Sequence, residues 1–247
     1  MHFQPRPPLA TDALTFVSTP PHRCSYLPER EARTLVADPD LLIDTRHYSY
    51  LAEHGFRRSG RYFYRPSCAR CSACVPVRVS VERFLPNRSQ RRIWKRNQDL
   101  TVTARPPGLD DEHFLLYKRY LAARHGDGEM AGHTAAEYLA FLANPDIESA
   151  FVEFRDRDRL VAVATTDYLE QGLSAIYTFF DPDCKDRGLG VYTVLWQLSE
   201  ARRRDLPWLF LGYWISECRK MRYKTLYRPH QLYRDGRWVW ADTAQTG

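Results

Sequence analysis

The sequence predicts an α+β fold in which a mixed sheet, flanked by helices, follows a smaller cysteine-containing N-terminal region. Three observations carry this reading. From about Leu100 the residue patterns run strand, helix, helix, three strands, helix, strand. Ahead of them Cys68, Cys71 and Cys74 stand three apart, directly before the alternating Val75, Val77, Val79 and Val81. Late in the chain, Leu173 to Tyr192 reads as a buried strand, a polar loop and a glycine turn that opens a helix. The expected division is 1–85 for the cysteine-containing region and 86–247 for the sheet-and-helix domain.

Residues 1 to about 22 are proline-rich and receive no element, and Cys24 follows in HRCSYLPER. Ile43 to Tyr64 reads as a helix or turn and then a strand, because GFRRSGRYFYRP combines aromatic residues with a glycine-marked turn. Cys68, Cys71 and Cys74, with Cys24 as a fourth, could set thiolates around a structural zinc or an iron–sulfur cluster. The competing reading is four small buried residues in a compact loop. Cys184 and Cys218 are isolated and read as structural. On a helix, Arg88, Arg91, Arg92 and Lys95 of RSQRRIWKRN would share a face, with Trp94 to stack or pack. Leu100 to Ala104 alternates as a strand. Asp110 to His125 is helical, with acidic residues early and basic ones later, as the helix dipole favours. Thr134 and Glu137 make a capping box.

Ala150–Phe154 and Leu160–Tyr168 read as strands joined by the charged turn RDRDR. The next strand rests on Ile176 to Phe180 and ends at Asp181-Pro182, since proline cannot donate to a ladder. Val191, Val194, Leu195 and Leu198 then recur at helical spacing. Gly188 and Gly190 open that helix beside Arg187, where free backbone N–H groups and the helix dipole suit an anion. The bland alternative is a βα turn that needs glycine for its backbone angles. Pro207 introduces a final strand, WLFLGYWI.

With 247 residues the chain can bury a substantial core. It contains no apolar run long enough to span a bilayer, and its first residues lack the order of a secretory signal. A cytoplasmic location with reduced cysteines and no membrane partner is expected. The net charge of +6 is unevenly spread: residues 83–105 and 218–237 together carry +12, leaving −6 elsewhere. Basic surface confined to two segments suits a polyanionic partner.

The element order is that of the GNAT acyltransferase fold, in which a βα turn receives the pyrophosphate of coenzyme A. RGLGVY resembles that turn, with Tyr192 in place of its last small residue. A more specific resemblance runs from Cys24 to Pro229. HRCSYLPER, GFRRSGRYFYRPSCARC, SQRRIWKRN, GLSAIYTFFDP, RGLGVY and LGYWISECRKMRYKTLYRP together resemble the bacterial aminoacyl-tRNA–protein transferase family, and its leucine-transferring branch most. The resemblance implies a GNAT-like sheet and transfer of leucine from leucyl-tRNA to proteins beginning with Asp or Glu, which creates an N-degron.

The implied chemistry is aminolysis of an activated ester, which requires no cofactor. Asp167 is the expected base or amine-orienting carboxylate, and Tyr177 the expected proton relay or oxyanion donor. Arg57, Arg58 and Arg65 are expected to read the acidic first residue, because arginine grips carboxylates bidentately. Arg88, Arg91, Arg92, Lys95, Arg96, Lys220, Arg222 and Lys224 are expected on tRNA phosphates, and Arg187, Gly188 and Gly190 at its acceptor end. Three alternatives stand beside this reading: an arginyl donor, an acetyl-CoA-dependent N-acetyltransferase, and a non-catalytic, zinc-stabilised RNA-binding adaptor.

Overall fold

The computed structural model describes residues 14–125 and 129–241. Much of the proline-rich start, residues 1–13, lies outside them. The first half contributes β1 (Phe16–Ser18), β2 (His22–Arg23), β3 (Glu31–Ala32), β4 (Thr34–Ala37), α1 (Thr45–Glu53), β5 (Arg57–Ser59), β6 (Tyr62–Pro66), β7 (Val75–Ser80) and α2 (Arg88–Arg96). Next come β8 (Thr101–Arg105), α3 (Asp111–His125), α4 (Ala135–Leu142), β9 (Ser149–Asp156), β10 (Arg159–Leu169) and β11 (Gly172–Phe180). The chain continues through α5 (Leu189–Arg203), β12 (Trp208–Trp214), β13 (His230–Arg234) and β14 (Arg237–Trp240).

Helix starts follow side-chain chemistry. Thr134 and Glu137 cap α4 reciprocally, as the sequence predicts. Asn87 and Gln90 do the same for α2, fixing where the basic helix begins. Eight strands form one mixed sheet in the order β14-β13-β7-β12-β11-β10-β9-β8. A second sheet, β1-β4-β6-β5, comes from the N-terminal region. Strand β7 lies before residue 85 yet sits inside the large sheet, hydrogen-bonded to β12 and β13. A cut at 85/86 therefore does not separate the two sheets. WLFLGYWI is likewise not the last strand. The β13–β14 hairpin follows it, turning at Asp235-Gly236 with φ of 51° and 76°, and that Asp-Gly pair is the sequence signal that marked it.

Alternation along β10 sorts the core onto two faces. Ala162 and Ala164 pack with Val194, Leu195 and Leu198 of α5. Val163 packs with Leu116, Tyr117 and Leu121 of α3 and Tyr138 and Leu142 of α4. The N-terminal region is clamped onto this sheet by polar contacts. Arg78 of β7 donates to both oxygens of Glu53 at 2.8 and 2.7 Å, and its guanidinium stacks 3.9 Å from the Trp208 ring centre and 4.4 Å from that of Trp238. Deeper still, Arg58 of β5 meets Asp167 of β10 through Nε–Oδ2 and Nη2–Oδ1, both 2.6 Å, with both side chains fully buried. Ser149 adds a 2.5 Å bond to Asp167, and Leu142 accepts from Arg58 Nη1.

That pair changes the roles expected of both residues. The Asp167 carboxylate is fully buried and accepts three hydrogen bonds from Arg58 and Ser149, which hold it toward the protein interior. Arg58 likewise presents no face to a ligand. Their contribution is to the fold, and removing one partner leaves a buried charge uncompensated. Asp167→Asn should lower the unfolding free energy by about 3–5 kcal/mol, measurable by denaturant titration. An unchanged midpoint would mean the pair does not hold the two sheets together.

Candidate functional site

Strands β11 and β12 are parallel neighbours for three residues only. Gly172, Leu173 and Ser174 pair with Trp208, Leu209 and Phe210, and no pairing continues beyond. Each strand bulges where the ladder stops. In β11 the partners of Thr165 and Thr166 are Tyr177 and Ala175, so Ile176 is the extra residue. In β12 the partners of Arg78 and Val77 are Phe210 and Gly212, so Leu211 is the extra residue. Bulges bend strands and end pairing, and here two of them open a gap in the sheet.

Arg57 fills the floor of that gap. Its Nη2 donates to the carbonyls of Ala175 and Ile176 at 2.8 and 2.9 Å, two acceptors at the level where the ladder has ended. Its Nη1 is buried and has no hydrogen-bond partner. The guanidinium lies so close to Gly212 that a Cβ there would stand 2.0 Å from Nη1 and 2.5 Å from Cζ. Gly212 also adopts φ of 75°, so both backbone and space require glycine. This explains the glycine of LGYWI, for which the sequence reading supplied no role.

Lys224 is buried beside the gap. Its Nζ donates to the Tyr213 carbonyl at 2.8 Å and makes no ion pair among the described residues. Burial, and then the charge of Arg57, hold its amine well below the usual lysine range. Lys224 therefore does not share the open surface on which Lys220 and Arg222, also expected on the polyanion, are exposed. The charge of Arg57 is also felt by the phenols of Tyr26, Tyr64, Tyr213 and Tyr223. Tyr177 stands on β11 with its hydroxyl buried and unpartnered, among the rings of Tyr117, Tyr120 and Phe141. Burial, reinforced by Tyr120 and Tyr117, raises the Tyr177 pKa far enough to keep the phenol a donor.

The remaining expected residues fall into two groups. Arg88, Arg91, Arg92, Lys95 and Arg96 are exposed on α2, whose other face packs Ile93 and Trp94 toward α5. Lys220 and Arg222 are exposed on the segment after β12. The glycine turn is different. Arg187 is bound by Asp99 and Asp156, at 2.8 and 2.7 Å, rather than left open to an anion. A Cβ on Gly188 would meet Ile93 at 3.1 Å, and one on Gly190 would meet Phe180 at 3.1 Å. Gly188 also adopts φ of 65°, the left-handed backbone that the bland reading requires, whereas Gly190 is distinguished by its packing against Phe180. Arg65 donates to the His54 carbonyl at 3.0 Å and lies over the Phe56 ring. Of the three arginines expected to read an acidic residue, Arg57 alone combines a position in the gap with an unpartnered buried N–H.

Two family models match the chain. "Arginine-tRNA-protein transferase, N terminus" covers residues 22–92, and "Arginine-tRNA-protein transferase, C terminus" covers 112–234. Full-length relatives agree. A protein of Pseudomonas putida (strain W619) named aspartate/glutamate leucyltransferase is 51% identical over 226 residues, 92% of this chain and 96% of that one. A protein of the same name from Hahella chejuensis is 51% identical over 92% and 97% of the two chains. The chain belongs to the arginine-tRNA–protein transferase family. The solved structure of L-PGS from Bacillus licheniformis aligns with a TM-score of 0.45 and 13% identity, over 57% of this chain and 45% of that one. At that distance it adds nothing to the fold.

The cysteines of this family member gather without forming a ligand set. Burial, then the neighbouring Cys24, Cys68, Cys71 and Cys218, push the Cys74 thiol up to about 12. The Cys71 thiol is shifted down by the Ala73 amide and the Arg30 guanidinium. Leu27 N and Arg33 N lie 3.4 and 3.5 Å from the sulfurs of Cys24 and Cys68. Among the described residues, however, no three His, Cys, Asp or Glu side chains are grouped to hold an ion. Cys24, Cys68, Cys71 and Cys74 do not fit a zinc or iron–sulfur centre in this arrangement. An open cleft of about 590 Å³, bordered by Asp44, Arg46, Glu148, Glu170 and Arg204, shares no residue with the Arg57 site.

The tightest steric constraint of the site gives a direct test. Gly212→Ala must displace the Arg57 guanidinium or the strand. It should cost about 1–3 kcal/mol of stability, the usual range for overpacking. Thermal melts would register this as a lowered Tm, and an unchanged Tm would show that Arg57 does not need the space.

Proposed function

We propose that this chain transfers leucine from leucyl-tRNA to the α-amine of proteins whose first residue is Asp or Glu, in the cytoplasm, producing an N-degron. The observation that carries the reading is the 51% identity, across 92% of the chain, with proteins named aspartate/glutamate leucyltransferase. A GNAT-like arrangement fits the mixed sheet, with its bulged strands diverging after a short parallel contact.

The α-amine attacks the aminoacyl ester carbonyl, the bond from that carbon to the ribose oxygen breaks, and the amine's proton ends on the departing ribose. The ester is already activated, so neither ATP nor a metal is needed. An α-amino group titrates near 7.7–8.0, so roughly a tenth or more is neutral at pH 7, whereas lysine amines near 10.4 are almost fully protonated. That difference favours the chain terminus over side chains. The principal tasks left to the protein are orientation, worth several kcal/mol, and stabilisation of the oxyanion, about 3 kcal/mol for a good donor. Tyr177 suits the second task, because its hydroxyl is buried, protonated and unpartnered. Asp167 is assigned no proton transfer in this reading, because it is fully buried and bonded to Arg58 and Ser149.

The exposed face of α2 suits the tRNA backbone. Arg88, Arg91, Arg92, Lys95 and Arg96 present five cations there, with Lys220 and Arg222 forming a second basic patch. Replacing Arg88, Arg91 and Arg92 with Gln should weaken tRNA binding and flatten its dependence on log salt by about 0.7–0.9 per lost phosphate contact. Filter binding at several salt concentrations measures both, and an unchanged slope would remove α2 from the interface. The transfer reaction is tested by incubating labelled leucyl-tRNA and arginyl-tRNA separately with peptides starting Asp, Glu, Lys or Ala. Leucine should appear on the Asp and Glu peptides only. Arginine in its place would establish the arginyl donor.

A further inference from the structure

The gap between β11 and β12 gathers two basic side chains, Arg57 and Lys224, and neither makes an ion pair among the described residues. Arg57 has Nη2 occupied by two carbonyls, while Nη1 is buried without an acceptor. Lys224 is 6% exposed, and its Nζ donates to the Tyr213 carbonyl. The charged or titratable groups acting on Lys224 are Arg57, Cys218 and Cys74. The charge of Arg57 reaches the phenols of Tyr26, Tyr48, Tyr64, Tyr213 and Tyr223. Elsewhere in the molecule, buried arginines meet carboxylates: Arg58 has Asp167 and Arg78 has Glu53. A buried cation without a counter-ion is costly, and two neighbouring ones are costlier, so this pair is the exception to the chain's own pattern.

We propose that Arg57 Nη1 and Lys224 Nζ together receive the side-chain carboxylate of the acceptor's first residue. This assignment rests on the acceptor reading above and names the residues that make it selective. Two donors on two separate side chains match the two oxygens of one carboxylate. The low exposure of Lys224 strengthens a charge-assisted bond made there. A neutral amide of the same shape would offer an N–H to one of these donors and leave a cation unanswered. Discrimination of Asp from Asn therefore comes from the fixed charges of the pocket. Burial, and then the charge of Arg57, draw Lys224 toward its neutral form, and an arriving carboxylate opposes that tendency.

The test uses the full chain and peptides beginning Asp or Asn, with binding measured by calorimetry in the absence of tRNA. Wild-type protein should prefer the Asp peptide, and Lys224→Met should weaken Asp binding by about tenfold or more while leaving Asn binding unchanged. An Asp-over-Asn ratio that survives Lys224→Met, or that is absent from the wild type, overturns the assignment. Should the variant fail to fold, the ¹⁵N signal of the Lys224 amine in wild-type protein decides. It should move on addition of the Asp peptide and not the Asn peptide, and a signal indifferent to both overturns the assignment. Leucyl transfer assayed in parallel separates the two ideas. Transfer that persists while the ratio ignores Lys224 refutes the pocket alone. Lys224-dependent binding without transfer supports the pocket and refutes the transferase reading.

Discussion

The Asp167 carboxylate grips Arg58 with two 2.6 Å bonds in a fully buried setting, and the position of β5 follows from that contact. Neighbouring residues on a strand point to opposite sides. Once Arg58 is fixed toward β10, Arg57 must leave β5 the other way, into the opening between β11 and β12. One arginine thus sets the geometry and its neighbour occupies the site. A short N-terminal strand, outside the large sheet, in this way completes a feature of that sheet.

The opening itself is a product of backbone irregularity. Two bulges, at Ile176 and Leu211, release the strands from each other just after their three-residue contact. The freed carbonyls of Ala175 and Ile176 would be unpaired in a dry interior, and the Arg57 guanidinium satisfies them. Gly212 makes room for it. Strand ends, arginine and glycine form one arrangement in which each part answers a requirement of another.

Much of the architecture was legible because it obeys local rules. The valine alternation before residue 82, the Thr134–Glu137 capping box and the apolar stripe of α5 all appear where the patterns placed them. The β13–β14 hairpin carried its own Asp-Gly signal and was passed over. The membership of β7 in the large sheet could not be read locally, since pairing partners more than a hundred residues apart leave no mark on either segment. The site divides in the same way. The basic face of α2 follows from helical spacing. The surroundings of Asp167, Arg58, Arg187 and Lys224 depend on contacts distant in sequence, which bury or ion-pair all four. RGLG shows the hazard of a short glycine motif, because its spacing fits close packing as well as it fits a phosphate.

The stacking of Arg78 between Trp208 and Trp238 has an optical consequence. A fixed cation 3.9 Å from one indole and 4.4 Å from the other alters the electric field across both chromophores. Trp238 also donates its ring N–H to the Glu53 carbonyl at the end of α1, so its emission reports whether the N-terminal helix remains seated on the sheet. The molecule carries an intrinsic, label-free spectroscopic gauge of the contact between α1 and the large sheet.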